Sequence, residues 1–145
     1  MTTSPHPAPP GEVFNFAGYL FERNAGHPAK TAFIDDHGPI GYGALADRAA
    51  RVAAGLLAAG VRREERVLLL MEDCNDWPAS FLGAIYAGIV PVAVNTLLTA
   101  DDYRYMLDHC RAEVALVSKA LLPVVLEADR GLASAPEPAR RPRLR

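Results

Sequence analysis

The sequence predicts an α/β fold of strand–helix repeats around a mostly parallel sheet, and three observations point to it. Short continuous apolar runs recur at Arg66–Met71, Val90–Val94 and Glu113–Val117, the pattern of strands covered on both faces. Between them lie stretches with apolar residues at helical spacing, opened or closed by capping residues. Alternation of the two is the pattern of βα units with right-handed crossovers. The 145 residues suit one ordinary domain, and with half of them apolar the chain can bury a core.

In chain order, the first ten residues carry four of the twelve prolines and show no periodicity. Residues 1–12 therefore read as a disordered leader. Thr31–Asp35 and Ile40–Tyr42 are short apolar runs split by Asp36-His37-Gly38-Pro39, a hairpin-like turn. From Gly43 to about Ala59, Leu45, Ala49, Val52, Ala53 and Leu56 fall on one helical face, and Gly60 supplies a stop. After the buried run at Arg66–Met71, Asn75 is placed to cap a helix with Pro78 in its first turn. Trp77, Phe81, Ala84, Ile85 and Gly88 would line its apolar face, with Gly88 as a left-handed end.

Val90–Val94 reads as the next buried strand. The helix after it has the clearest start. Thr99 is placed as N-cap with Asp102 three residues on, Leu98 can staple against Tyr103, and Asp101 and Asp102 face the positive end of the helix dipole. Tyr103, Met106, Leu107 and Cys110 form its stripe. Glu113–Val117 is a further strand, and Lys119 to about Asp129 a further helix, with Pro123 tolerable only near its start.

Charge is unevenly spread. Residues 131–145 hold three prolines and four arginines (Arg140, Arg141, Arg143, Arg145) against Glu137. That is a net +3, leaving −5 for residues 1–130 within the overall −2. This Pro/Arg-rich tail reads as a basic arm, as a solvated end, or as the translation of an interrupted frame. Four arginines without aromatics are a weak footprint for nucleic acid, and the overall balance excludes binding driven by bulk positive charge. No run of 18 apolar residues would span a membrane. Met1-Thr-Thr-Ser-Pro-His-Pro7 has neither a basic nor an apolar signal region. Cys74 and Cys110 make no disulfide framework. A cytoplasmic protein, without nucleic-acid or membrane partners, is expected.

Candidate chemistry sits where ligands bind in open α/β sheets, beyond the carboxyl ends of strands. Those positions are Glu72, Asp73 and Asn75, then Asn95 and Thr96, then Ser118. Glu72 and Asp73 could form a metal or acid–base pair, but read better as a solvated strand end before a helix. Asp35, Asp36 and His37 could suggest a metal site and read better as a turn. His109 and Arg111 are placed to offset a helix dipole. The two cysteines lack neighbours at zinc spacing and read as buried thiols. Arg62-Arg63-Glu64-Glu65 reads as a solvated loop, and Trp77 as core. Gly83-Ala-Ile-Tyr-Ala-Gly88 has P-loop glycine spacing, but Ile89-Val90 stands where Lys-Ser/Thr is required. No dinucleotide fingerprint or nucleophile elbow occurs. No catalytic, cofactor-binding or metal-binding residue is assigned.

Residues from about Phe14 to Leu126 resemble the N-terminal portion of adenylate-forming acyl- and aryl-CoA synthetases, and within them the benzoate–CoA ligase group. The resemblance rests on Phe14-Asn-Phe-Ala17, Arg23-Asn-Ala-Gly26, Ala32-Phe-Ile-Asp-Asp36 and Val67-Leu-Leu-Leu-Met-Glu-Asp-Cys-Asn-Asp-Trp-Pro78. It continues from Phe81 through Tyr86-Ala-Gly88, Pro91 and Asn95 to Tyr103. It implies a partial N-terminal domain at 13–130, with 131–145 outside it. For the full-length family it implies an aryl carboxylate, ATP, magnesium and coenzyme A as reactants, giving the acyl-CoA, AMP and pyrophosphate. The family's Ser/Thr/Gly-rich phosphate loop, its Tyr-Gly-x-Thr-Glu segment and its catalytic lysine have no counterpart in this sequence. The resemblance therefore implies a fragment that is inactive alone and holds none of these cofactors. Gly41 and Gly43 depart from the family's Thr/Ser-Tyr-x-Glu pattern, so the helix after them is expected to be poorly capped. A sheet lacking neighbours should expose an edge and apolar patches that favour self-association. The alternative is a non-catalytic α/β module pairing with a full-length synthetase; a standalone nucleotide-binding domain is disfavoured by the missing phosphate loop.

Overall fold

In chain order the elements are α1 (Phe16–Asn24), β1 (Thr31–Asp35), β2 (Gly38–Gly41), α2 (Tyr42–Ala58), β3 (Arg66–Leu70), α3 (Asp76–Tyr86), β4 (Val90–Ala93), α4 (Ala100–Cys110), β5 (Ala112–Val117), α5 (Leu122–Ala133) and β6 (Arg143–Leu144). They are seen in a computed structural model that describes Gly11, residues 13–133 and 143–144. The leader, apart from Gly11, and residues 134–142 and 145 of the tail lie outside the described residues. α5 runs on to Ala133, past the expected boundary at 130, and β6 pairs with β5 at Val114 and Ala115.

Two sheets result. β1 and β2 form an antiparallel hairpin, and the main sheet has the order β4-β3-β5-β6 with every pair parallel. The hairpin turn is tighter than the sequence suggests. Gly38 pairs with Asp35 and Pro39 with Ile34, so only Asp36 and His37 turn the chain.

The continuous apolar run of β3 is explained by cover on both faces. Val67 and Leu69, with Val114 of β5, pack against Leu56 of α2 and Ala84 of α3. Leu68 and Leu70, with Ala115, pack against Tyr103 and Leu107 of α4 and Val125 and Ala128 of α5. Successive side chains point to opposite faces, so each of Val67 to Leu70 is buried, worth roughly 1.5–3 kcal/mol for each side chain. β4 departs from this. Among the described residues it bonds to β3 alone and stands at the sheet's edge, with Val90 and Ala93 exposed, so it is not the fully buried strand its composition suggests.

The helices follow their patterns with three corrections. α2 buries Leu45, Ala49, Ala53 and Leu56 as expected. Gly60 and Gly88 lie just beyond their helices at φ 85° and 73°, the left-handed region glycine tolerates. On α3 the buried residues are Pro78, Ala79, Ser80, Leu82, Gly83 and Ala84. Trp77 and Phe81 are half-buried and stacked on one another at 5.2 Å, so the expected Trp77/Phe81 core face is a flank. The reason is tertiary: α3 is wedged between α2 and the sheet, and the small residues take the tightest side. The second correction is α1, which the sequence pattern does not announce. Asn15 accepts from the Gly18 N–H at 2.9 Å and donates to the Ile85 carbonyl at 2.8 Å, capping α1 while tying it to the end of α3. The third is the last helix, whose Lys119–Leu121 portion is a 3-10 turn leading into α5.

α4 starts as read. The Asp102 N–H donates to Thr99 Oγ1 at 3.3 Å and the Thr99 N–H donates to Asp102 Oδ2 at 3.1 Å, a reciprocal capping box. Hydrogen bonds from Thr99 hold the Asp102 carboxyl below its ordinary pKa. Thr99→Ala is expected to cost about 1 kcal/mol, read as a lowered urea midpoint with an unchanged slope. At the other end, Arg111 is itself the left-handed cap at φ 52°, so of the expected pair only His109 lies in the last turn. Among the described residues no helix is long and apolar enough to cross a membrane.

Candidate functional site

The carboxyl ends of β3, β4 and β5 bring the predicted strand-end residues to one rim of the sheet, where local hydrogen bonds engage them. The Glu72 N–H donates to Ser118 Oγ at 2.9 Å and the Ser118 N–H to the Leu70 carbonyl at 3.0 Å, stitching the ends of β3 and β5. Asn95 Oδ1 accepts the Leu97 N–H at 2.9 Å. The Asn95 carbonyl accepts from the Tyr103 hydroxyl at 2.8 Å, and that hydroxyl accepts the Leu98 N–H at 3.2 Å. Tyr103 is buried, and its polar tip is satisfied on both sides, which fixes the β4–α4 loop. The Glu72 and Asp73 side chains are exposed. Among the described residues no three His, Cys, Asp or Glu side chains are grouped to hold a metal ion. At this rim Ser118 Oγ and Asn95 Oδ1 accept backbone N–H groups of the loops.

Asn75 is placed differently from expectation. Its backbone is helical (φ −60°, ψ −21°) and its side chain makes no capping bond to α3. Instead the Asn75 N–H donates to Asp35 Oδ2 at 2.8 Å and Asn75 Nδ2 donates to the Gly38 carbonyl at 2.9 Å. The side chain is buried because the β1–β2 hairpin lies over it, so it joins hairpin to helix rather than capping. Its Oδ1 is buried without a partner among the described residues. The Asn75 N–H holds the Asp35 carboxyl below its ordinary pKa, against desolvation and with help from His37. The Asp35-Asp36-His37 trio is a turn, with the His37 N–H donating to Asp35 Oδ1 at 2.9 Å.

Other candidates resolve structurally. Cys74 and Cys110 are half-buried thiols rather than fully buried ones, and burial pushes the Cys110 thiol up. In the Arg62–Glu65 loop, the Arg62 guanidinium pairs with Glu65 at 2.6 Å, and the Glu64 N–H donates to the Gly88 carbonyl at 2.9 Å. As expected at Gly41, α2 has no side-chain cap. A Cβ at Gly41 would lie 2.7 Å from the Pro28 carbonyl oxygen, and one at Gly43 2.9 Å from Pro28 Cβ, so the chain crossing at Pro28 excludes larger residues.

One feature escapes the sequence reading: a groove of about 810 Å3 between α2 and β5. Val52, Leu56, Val114 and Leu116 contribute its apolar lining, Gly55 stands on its α2 wall, and Arg48 and Asp76, paired at 2.9 Å, also border it. Both ions of that pair are exposed, so it adds little stability. The groove is open because α2 and α3 cover β3 more fully than β5, a consequence of strand order that periodicity does not carry.

Comparison with known proteins identifies this arrangement. The AMP-binding enzyme family matches residues 20–141, a span that reaches into the segment read as a tail. A 4-hydroxybenzoate–CoA/benzoate–CoA ligase of Rhodopseudomonas palustris is 46% identical over 121 residues, which are 82% of this chain and 22% of that protein. A benzoate–CoA ligase of Thauera aromatica is 47% identical over 116 residues, 78% of this chain and 22% of that protein. The crystal structure of a benzoate CoA ligase from Burkholderia xenovorans LB400 superposes with a TM-score of 0.80 at 47% identity, covering 90% of this chain and 27% of that one. The chain thus spans about a fifth of the length of the curated relatives it matches. With a family match over most of its length and the same parallel α/β core, the chain belongs to the AMP-binding enzymes, whose N-terminal portion it represents.

Proposed function

We propose that this chain is the N-terminal portion of an acid–CoA ligase of the benzoate–CoA ligase type, and that its role is scaffolding. The whole enzyme would join benzoate or a related aryl carboxylate to coenzyme A, driven by ATP. The observation that carries the reading is 46–47% identity to two benzoate–CoA ligases across about four fifths of the chain. At this level the buried strands and the loop geometry around Tyr103 and Asn75 are expected to be shared.

The segment would contribute three-layer packing and no reacting group, since its strand-end side chains are engaged in loop bonds or turned to solvent. The purified 145-residue chain is expected to give no benzoate-dependent ATP–pyrophosphate exchange above a protein-free control; clear exchange overturns its assignment as inactive alone. The second test is a full-length chimera, in which this chain's residues replace the matching 121 residues of the Rhodopseudomonas palustris ligase. Benzoate-dependent exchange by that chimera supports the ligase assignment, and a folded chimera without exchange contradicts it.

A further inference from the structure

Apolar side chains stand exposed on one flank of the fold, where the entry to α1 meets the end of α3. Phe14, Phe16 and Tyr86 are 48–50% exposed, and Val13 and Val90 are exposed beside them. All five border a shallow groove of about 610 Å3. The ring of Phe14 has Tyr19 at 5.6 Å and that of Tyr86 has Phe21 at 6.1 Å, so each is braced by an aromatic neighbour. A contiguous exposed apolar surface of this kind marks an interaction site.

The sheet edge that adjoins this flank is poorly suited to taking up a strand. The Val90 and Val94 N–H groups donate to the Glu65 and Leu69 carbonyls at 2.9 and 3.0 Å, so by alternation Pro91 and Ala93 face away from β3. Pro91 has no N–H to give, and a strand laid on β4 would lose a ladder bond there. The aromatic rings beside the edge, more than the edge itself, are the surface to be covered.

A segment with matching chemistry leads into this groove. Val13 lines it, and residues 1–10 of the same chain lie outside the described structure. They include Pro5-His-Pro-Ala-Pro-Pro10, and from Thr2 to Pro10 there is no Asp, Glu, Lys or Arg. Aromatic-lined grooves take proline-rich segments because each proline fixes its own φ and little conformational freedom is left to lose. Pro7 and Pro10 are three residues apart, the spacing that sets two rings on one side of a polyproline helix. Only Gly11 and Glu12 separate Pro10 from Val13. Docking is therefore intramolecular, at an effective concentration of about millimolar, and weak ring contacts suffice.

We propose that this groove is the docking site of the chain's own proline-rich stretch, residues 5–10. The stretch folds back at Gly11 and lays Pro7 and Pro10 on the rings of Phe16 and Tyr86. It covers an apolar flank that the packing of α1 on α3 leaves open, and it needs neither an unpaired strand edge nor a charged partner. The inference stands independently of the ligase reading.

Nuclear magnetic resonance on the 145-residue chain tests it, with the unsubstituted chain set against a Pro7→Ala/Pro10→Ala double variant. Both substitutions lie outside the described fold, so its packing is kept. In the unsubstituted chain, nuclear Overhauser contacts are expected between the ring protons of Pro7 or Pro10 and those of Phe16 or Tyr86. In the double variant these contacts are lost, and the amide resonances from Tyr86 to Val90, far from the substitutions in the chain, are expected to shift. The absence of either result overturns the proposal. So do Tyr86–Val90 resonances that shift on dilution alike in both chains and ignore the substitutions, which would assign the flank to a second copy of this chain.

Discussion

Replacing Gly83 with alanine is expected to destabilise the chain by about 2 kcal/mol and to lower its thermal midpoint by roughly 6–8 °C. The added Cβ would lie 2.6 Å from the carbonyl oxygen of Ala49 and 2.8 Å from Val52 Cβ, both on α2. The first is a backbone atom inside a helix and cannot swing aside, so α2 and α3 must separate. Separation loosens Ala49 and Leu45 of α2 from Ala79 and Leu82 of α3, which share one buried cluster with Ala17 and Ile40. Helix propensity works the other way by about 1 kcal/mol, so the measured loss is a net value. Gly26→Ala makes the same chemical change where a Cβ meets nothing within 4 Å, and it should leave the midpoint within about 2 °C. A Gly83→Ala chain as stable as its parent would show that the helices do not pack this closely.

Asn75→Asp separates two roles for one residue. Aspartate and asparagine are about equally good helix caps, so a capping residue would tolerate the exchange. The structure makes Asn75 a donor instead, with Nδ2 2.9 Å from the Gly38 carbonyl and its own N–H on the Asp35 carboxylate. Aspartate would set a carboxylate oxygen against that carbonyl, in a buried position beside Asp35. The expected loss at neutral pH is about 3 kcal/mol, combining an unmet carbonyl with a poorly solvated charge. The pH dependence has a definite sign. The new carboxyl would have a folded pKa raised above its unfolded value, so the penalty is full at neutral pH and eases as the pH falls through that raised value. In the parent chain the Asp35 carboxyl is lowered from 3.8. Its contribution is therefore present above that pH and is lost only as the pH falls below it through the lowered value. Chemical denaturation of both chains at pH 7 and pH 4 checks this: the difference between them should narrow at pH 4, and equal stability at pH 7 would restore the cap.

Most of the sheet's composition was legible in the residues. The run Val67-Leu-Leu-Leu70 demands cover on both faces, and α4 and α5 on one side with α2 and α3 on the other provide it. The Thr99–Asp102 box was equally legible, because capping is a contact between residues three apart. Asn75 misled because its composition and spacing suit a cap, while the hairpin that claims its side chain lies 37 residues earlier. β4 misled because Val90-Pro-Val-Ala-Val94 has the composition of a central strand, and only strand order makes it an edge. α1 has a local cap, Asn15 on the Gly18 N–H, that the sequence reading passes over, while its anchor on α3, Asn15 to the Ile85 carbonyl, is a contact across some 70 residues that no local pattern carries. At the strand ends, Glu72, Asn95 and Ser118 fell where ligands bind in such sheets. Only their partners showed them to be stitching loops.

What the sequence by itself determined is the set of elements whose cause is local: the buried strands, the capped α4, the glycine stops, and the family those motifs resemble. What only the tertiary structure decided is which faces meet. It put α3's small residues rather than Trp77 on the tight side, made Asn75 a tether for the hairpin, and left an apolar groove beside Gly55. Periodicity reports which side of an element is apolar, but strand order and the distance between backbones decide what that side meets. Those depend on contacts between residues far apart in the chain, which no local pattern records.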